Sequence, residues 1–459
     1  MPEAHDHKIS SILLRVLSEV KPSEAEIVHT TEKANELMGR IKAIAPKSVE
    51  IIMAGSTARG TQTKGNSDID IFLLFPRADE ERPMELKGLS IAKKIVNKSK
   101  GEKFEIRYAE HPYLKLIMPE DGISADIVPA FKITDSSERV SAVDRTQLHN
   151  VFVNSTLSAQ QKDDVRLVKS FMRFHNVYGA EAKTLGFSGY LCELLVAHFG
   201  SFQKVLSAFS SIKLPMVIRF GKSDMSIDET VKKFNSRFVV VDPTDGNRNV
   251  AAVVSEDSLA RFATASRRFL SNPSIEYFYG VKYSDIDSAA KLSGLKNALG
   301  TELYSATFSF PKISEEILWQ QLSRLDMSLR KLLSEYGFPV VIAVAGIEGR
   351  TGAVGYFINK SAPGSRVVRG PTAFMPDNFD AFADAHKDSL SFFMDGGFGV
   401  AIEKAKFHSP KDLLKFLLKE GGMKLPSYIK QKGIKINGGK VPERSARILY
   451  GSYVRMTYI

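Results

Sequence analysis

The stretch AGSTARGTQTKGNSDIDIFLLF, residues 54 to 75, restricts what this chain can fold into more than any other. The apolar run from Val49 to Met53 reads as a strand. It ends in Gly55-Ser56, a tight turn from which a helix is predicted to start, so that free backbone amides and the Ser56 hydroxyl can cradle a phosphate. Arg59, about one turn on, can add a charged donor to the same phosphates. Twelve residues after Ser56 come Asp68 and Asp70, inside a second predicted strand. Side chains alternate along a strand, so positions i and i+2 emerge on one face about 6.6 Å apart. Two carboxylates crowded on an apolar strand are costly unless a cation neutralises them, which makes a divalent metal their natural partner. A third acid is expected on a neighbouring strand, and ISADIVPAFKI supplies Asp126, alone among apolar residues. Oxygen-only ligation points to Mg2+ or Mn2+ rather than zinc, for which the chain lacks the set of thiols and clustered histidines. Each piece is weak alone, since Gly-Ser turns are common and Asp-x-Asp is more often a solvated strand edge or loop. Their fixed order carries the reading.

Around this motif the pattern is mixed. Ile9, Ile12, Leu13, Val16, Leu17 and Val20 recur at helical spacing, and a second helix opens after Ser23 with Ile27, Ala34, Leu37, Met38 and Ile41 on one face. Further strands are predicted at Glu105 to Ile106, Leu114 to Met118 and Ala125 to Ile133. A mixed sheet backed by the two helices is therefore expected over residues 1–148. Residues 149–265 read as mainly helical: Val165, Val168, Met172 and His175 share one face of a helix, Arg166, Lys169 and Arg173 the other, and Ser188 caps the next helix through Phe199. Residues 266–459 form a third, α+β region. Its landmark helix carries Leu318, Leu322, Leu325, Leu329, Leu332 and Tyr336, and strands are expected at 339–345, 353–359, 391–394 and 398–402, the last two joined by Asp395-Gly396-Gly397. A helix with Ser409 at its cap and Pro410 at its first position closes that unit. The fold class expected is thus α+β and multidomain, as 459 residues exceed what a single core supports.

Composition narrows the function. With 43% hydrophobic and 25% charged residues the chain is globular, and a net charge of +11 suits a polyanionic partner. Lys424, Lys430, Lys432, Lys435, Lys440, Arg444, Arg447 and Arg455 stand against Glu443 alone after Gly421, so +7 of that charge lies in the last 39 residues, with Tyr428, Tyr450, Tyr453 and Tyr458 interleaved. Two readings stay open there: a solvated basic tail whose tyrosines pack locally, or a contact to phosphates with rings that stack on bases. The single cysteine, Cys192, excludes an internal disulfide and reads as a small buried hydrophobe in GYLCELLVAHF. His5 and His7 read as part of a mobile terminus rather than metal ligands. With no secretory signal pattern at the start and no apolar stretch near ~20 residues, the protein is expected to be soluble, cytoplasmic and not membrane-bound.

The order strand, Gly-Ser, helix, Asp-x-Asp, lone strand Asp resembles the signature of the polymerase-β-type nucleotidyltransferase superfamily. SAVDRTQLH (141–149), VRLVKSF (165–171), VYGAEAKTLGFSGYLCELLVAHFGSF (177–202) and DPTDGNRNVAAVVS (242–255) resemble successive blocks of the archaeal-type, class I CCA-adding enzymes, the tRNA nucleotidyltransferases. The segment Arg369 to Pro371 and the basic C-terminus fit the same family, so the resemblance spans essentially the whole chain. The first acid is Asp68 where some relatives have Glu, and either binds metal. The resemblance implies a nucleotidyltransferase catalytic domain (1–148), a central nucleotide-binding helical domain (149–265) and a C-terminal tRNA-binding body and tail (266–459). It implies that Ser56 and Arg59 contact the triphosphate, that Asp68, Asp70 and Asp126 hold two Mg2+ ions, and that His149, Lys169, Tyr178 and Arg248 bind the nucleotide, Arg248 selecting the base. Read without it, His149 is an ordinary histidine between domains, Lys169 and Arg173 a solvated helix face, Tyr178 a core aromatic and Arg248 an ion-pair partner in a loop.

The activity so implied is template-free, stepwise addition of CCA to the 3′ end of tRNA from CTP and ATP, with release of pyrophosphate. The acceptor stem and TΨC arm are the expected RNA contacts, read by shape and phosphate position. A poly(A) polymerase or other template-free RNA nucleotidyltransferase shares the three acids. A small-molecule nucleotidyltransferase needs neither the basic terminus nor a third domain, and an inactive RNA-binding module is expected to lack one of the acids. The sequence leaves the oligomeric state open, a homodimer included.

Overall fold

The structure is a computed structural model that describes residues 2–65, 68–77, 80–108, 112–222, 224–279, 287–360 and 363–456. The chain divides into two compact units, Met1–Gly280 and Val281–Ile459. The first begins with α1 (Pro2–Val20) and α2 (Glu24–Lys42). Ser23 caps α2 through a capping box with Glu26, which satisfies amides the helix start would otherwise leave free. Next come β1 (Glu50–Ala54), α3 (Gly55–Arg59), β2 (Ile69–Phe75), α4 (Glu81–Lys94), β3 (Lys103–Tyr108), β4 (Pro112–Met118) and β5 (Ile123–Phe131). The five strands form one sheet in the order β1-β2-β5-β4-β3, in which β2 and β5 are parallel and the other pairs antiparallel.

Strand alternation decides where this sheet is apolar. Ile69, Ile71, Leu73 and Phe75 of β2, with Ala125 and Ile127 of β5, pack against Ala34, Leu37 and Ile41 of α2 and Met84 and Ala92 of α4. Phe72, Leu74 and Ala130 point to the other face, where they meet Ala54 and half-buried Val143. Asp70, in register with Phe72 and Leu74 by the period of two, therefore leaves the sheet on the face away from α2 and α4. Asp68 lies just before β2, not inside it as expected, because the strand begins at Ile69. The terminus holding His5 is part of α1, and His5 Nε2 lies 2.8 Å from the Leu270 carbonyl, so it is not the mobile arm expected.

The rest of this unit is α5 (Thr146–Thr156), α6 (Ala159–Phe174), α7 (Gly189–Phe199), α8 (Phe202–Ser210), β6 (Met216–Ile218), α9 (Ile227–Phe234), β7 (Phe238–Asp242), β8 (Asp245–Asn249) and α10 (Glu256–Ser271). Ser188 caps α7 as expected. Phe171, Phe187, Phe202, Phe209, Phe262 and Phe269 form its buried aromatic core, many of them edge to face. Cys192 is buried with its thiol pushed up to about 12 by that burial, in keeping with a packing role. The small sheet β6-β7-β8 lay beyond the helical reading because its strands are three to five residues long and too short for a clear period.

The second unit contains α11 (Ser288–Ala298), β9 (Thr301–Ser309), α12 (Glu315–Glu335), β10 (Val340–Glu348), β11 (Thr351–Asn359), β12 (Ser365–Thr372), α13 (Pro376–Ala385), β13 (Ser391–Asp395), β14 (Phe398–Lys404), α14 (Pro410–Lys419), β15 (Lys435–Gly438) and α15 (Glu443–Met456). Its sheets run β10-β11-β9-β15 and β12-β14-β13. Gly396 and Gly397 both have positive φ, 56° and 83°, in the turn joining β13 to β14. The C-terminus does not trail from a unit closed by α14. β15 pairs with β9, and Ala446, Ile448 and Leu449 of α15 are buried in the core with Val344 and Phe357. Tyr450 and Tyr453 pack against that core, and Arg447 Nη2 pairs with Glu348 at 2.8 Å, so this part of the basic segment is structural. Lys432 and Lys435 stay exposed. Tyr458 lies outside the described residues. Among the described residues no helix is long and apolar enough to cross a membrane.

Candidate active site

One row of residues crosses the five-stranded sheet: Ala54 opposite Asp70, Asp70 beside Asp126, Asp126 opposite Lys115, and Lys115 opposite Glu105. The predicted pairing of Asp70 with a strand acid is thus realised between adjacent parallel strands. Gly55 has φ +70°, and a Cβ there would lie 1.8 Å from Asp70 Oδ2, so only glycine lets the turn approach the acid this closely. Thr57 Oγ1 donates to the Asp68 carbonyl at 2.9 Å, tying α3 to the residue before β2. The Asp68 carboxylate accepts from the Ser124 hydroxyl, and Lys115 Nζ stands 3.3 Å from Asp68 Oδ1 and 3.5 Å from Asp126 Oδ1.

This donor set suits a hard divalent cation. Asp126 Oδ1 is buried without a hydrogen-bond donor, and three carboxylates share one end of the sheet. Among the described residues no three acidic, histidine or cysteine side chains are closed into a ready-made cage; the Lys115 ammonium bridges two of the acids instead. Burial, then the Asp126 charge, pushes Asp70 up to about 7, and burial likewise raises Asp126. Between about pH 4 and 7 the folded chain then keeps a proton that the unfolded chain has released, so in EDTA stability falls as pH rises through that window. Asp70→Asn removes this slope: its thermal midpoint in EDTA at pH 8 lies above the parent's, and a lower midpoint at every pH would contradict the assignment.

Arg59 ends α3 and is almost wholly buried. Its Nη1 donates to Asn150 Oδ1 at 2.9 Å, and its Nε lies 2.9 Å from Glu193 Oε2, a close ion contact that is not aligned as a hydrogen bond. Its charge acts on both Asp70 and His149. Lys169 does not lie on a solvated face. It is fully buried, and its Nζ donates to the Thr61 carbonyl and hydroxyl at 3.0 and 3.1 Å. Arg166 likewise donates to the carbonyls of Gln62 (2.8 Å) and Gly60 (2.5 Å), and Arg173 to Thr63 Oγ1 (2.7 Å). The basic face of α6 thus fastens the loop that joins the Gly55 turn and α3 to the acids. Tyr178 lies under the Arg173 guanidinium, 4.5 Å from ring centroid to Cζ, with its hydroxyl raised to about 12 by burial. Gly189 opens α7 between them: a Cβ there would lie 3.1 Å from the Tyr178 hydroxyl and 3.7 Å from Lys169 Nζ.

The remaining nucleotide-site candidates gather on Asp242, at the end of β7. His149 Nε2 is 3.0 Å and Arg248 Nη1 2.9 Å from Asp242 Oδ2. Tyr190 and Thr244 donate to Oδ1, at 3.2 Å from the Tyr190 hydroxyl. His149 stacks on Tyr190, centroids 3.9 Å apart. Burial works to raise Asp242, but the bond from His149 and its other donors outweigh it and hold the group well below the usual carboxylate range. Burial holds His149 below its usual value despite Asp242, so the neutral ring with its proton on Nε2 fits this carboxylate. Ser56 is half-buried inside α3.

Lys115, Glu193 and Asp242 were missed by sequence reasoning. Glu193 had a signal, as the sole charge in the apolar helix GYLCELLVAHF, and so had Lys115, a lone charge in the strand PYLKLIM. Asp242 had one as well, as the first residue of the block DPTDGNRNVAAVVS.

The class of protein follows from this arrangement. Residues 34–149 match the family described as a nucleotidyltransferase domain, and residues 163–279 the second domain of tRNA nucleotidyltransferase. Residues 299–435 match the C-terminal domain of CCA-adding enzymes. The chain is 35% identical to the CCA-adding enzyme of Methanosarcina mazei over 88% of its length and 86% of that protein. It is 37% identical to that of Methanocaldococcus jannaschii (72% and 74%) and 34% identical to that of Pyrobaculum islandicum (90% and 94%). The chain belongs to the CCA-adding enzyme family.

Proposed function

We propose that this protein adds CCA stepwise to the 3′ end of tRNA from CTP and ATP, without a nucleic-acid template. The observation that carries the reading is Asp70 beside Asp126 on parallel strands, with the Gly55 turn pressed against the Asp70 carboxylate. In each cycle the terminal 3′ oxygen of the tRNA bonds to the α-phosphorus, the bond from that phosphorus to the bridging oxygen breaks, and pyrophosphate leaves. Ser56 and Arg59 bind the triphosphate at the turn, and Lys169 and Tyr178 bind the nucleotide from the central helices. Asp68, Asp70 and Asp126 are the ligands for Mg2+, two ions in our reading, with Mn2+ as a substitute. Bound there, such ions acidify the attacking hydroxyl and stabilise charge on the departing pyrophosphate. Arg248, braced by Asp242, offers donors to the base edge, and His149, whose Nε2 proton is held by Asp242, binds the nucleotide with the acceptor Nδ1 of its neutral ring.

The test is the product ladder from a tRNA lacking CCA, incubated with magnesium and all four nucleotides. Addition that stops at CCA supports the reading; a long adenylate tail would assign a poly(A) polymerase instead. The exposed Lys432 and Lys435 support an RNA contact in the C-terminal region, to the acceptor stem and TΨC arm in our reading. Charge reversal of both is expected to raise the KM for tRNA about tenfold and to flatten its salt dependence, with CTP binding unchanged. Equal damage to both substrates would remove the separate RNA contact.

A further inference from the structure

We propose that Glu193 is a positioning residue for the nucleotide triphosphate: from the middle of α7 its carboxylate orients Arg59 directly and Lys169 through Thr61. The inference rests on the assignment of Arg59 to the triphosphate and of Lys169 to the nucleotide. Glu193 is fully buried. Its Oε2 is 2.9 Å from Arg59 Nε, and its Oε1 is 3.7 Å from Lys169 Nζ and accepts from the Thr61 hydroxyl. Thr61 Oγ1 in turn accepts from Lys169 at 3.1 Å, so the three groups form one chain from lysine to hydroxyl to carboxylate.

Packing gives no reason for a charge at this place. Tyr190, Leu191, Cys192, Leu194, Leu195 and Val196 around it on α7 are buried and apolar or aromatic. A buried ion pair replaced by well-packed apolar side chains is often neutral or stabilising. What a carboxylate does here, and an apolar side chain does not, is fix direction. Arg59 spends Nη1 on Asn150 and keeps Nε 2.9 Å from Glu193 Oε2, an ion contact that holds the guanidinium by charge and proximity rather than by an aligned hydrogen bond, while its Nη2 is bonded to none of the described residues. The planar fork is thereby held with one donor in reserve, next to a turn whose amides are suited to phosphate.

The sign of the effect separates positioning from simple charge. A carboxylate acting only through space repels a triphosphate, so Glu193→Gln would tighten binding. A positioning carboxylate, once removed, loosens it. We expect Glu193→Gln to raise the calorimetric Kd for CTP, ATP and inorganic pyrophosphate about tenfold, with tRNA affinity within about twofold of the parent. Arg59→Ala gives a loss of the same order, and adding Glu193→Gln to it costs less than about a further threefold, since one effect acts through the other. Should the glutamine variant fail to fold, Glu193→Asp takes its place with the same readouts. Unchanged or tighter pyrophosphate binding, or full additivity with Arg59→Ala, overturns the role of Glu193 alone. A lowered thermal midpoint with unaltered pyrophosphate affinity marks a packing role and overturns it too. If Arg59→Ala itself leaves pyrophosphate binding untouched, the triphosphate assignment falls, and the inference with it.

Discussion

Asp70→Ala is expected to abolish nucleotide addition, lowering kcat by about 10,000-fold or more, while the Kd for tRNA changes by less than about tenfold. Asp70 is the central acid of the row, beside Asp126 on β5 and under the Gly55 turn. Its loss removes the central carboxylate of the three proposed as ligands for the divalent cation. Alanine is tolerated there sterically, and it removes a carboxylate that burial and Asp126 disfavour, so the variant folds at least as well as the parent. Loss of activity therefore reports on chemistry and not on unfolding. Single-turnover addition of one cytidine to a tRNA lacking CCA, measured beside the tRNA binding curve, separates the two. Incorporation within about tenfold of the parent would remove Asp70 from the metal site.

Asp242→Ala is expected to cost about 3 kcal/mol of stability and to degrade base selection. The carboxylate accepts from His149, Arg248, Tyr190 and Thr244, and truncation strands several of those donors in a buried setting. Arg248 is about one-third exposed and can turn to water; buried His149 and Tyr190 cannot. Once Arg248 loses its anchor, preference for CTP over UTP, taken as the ratio of kcat/KM values, should fall about tenfold to a hundredfold. Asp242→Asn keeps the shape and part of the bonding, and should fall between parent and alanine variant in both measurements. A selective enzyme with Ala at this position would show that Arg248 selects without its carboxylate.

Much of the five-stranded sheet is legible in the sequence alone. Period-two alternation sends Ile69, Ile71 and Leu73 toward the helices and leaves Asp70 on the opposite face, which is local geometry and needs no tertiary information. Caps were equally local: Ser23, Ser188 and Ser409 each bond a nearby backbone amide, and each marks the helix start expected of it. The family resemblance rested on the same kind of local signal.

Only the tertiary structure decided what the buried charges touch. The basic stripe of α6 is compatible with solvent, with RNA or with a packed loop; the fold presses it on Gly60 to Thr63, because those loop carbonyls need donors once water is excluded. Glu193 meets Arg59 from 134 positions away, and Asp242 meets His149 from 93. No periodicity encodes such pairs, since the cost of burying each charge is met by a partner that chain connectivity alone does not name. The sequence by itself determined which residue types face which side of each element; long-range packing chose their neighbours.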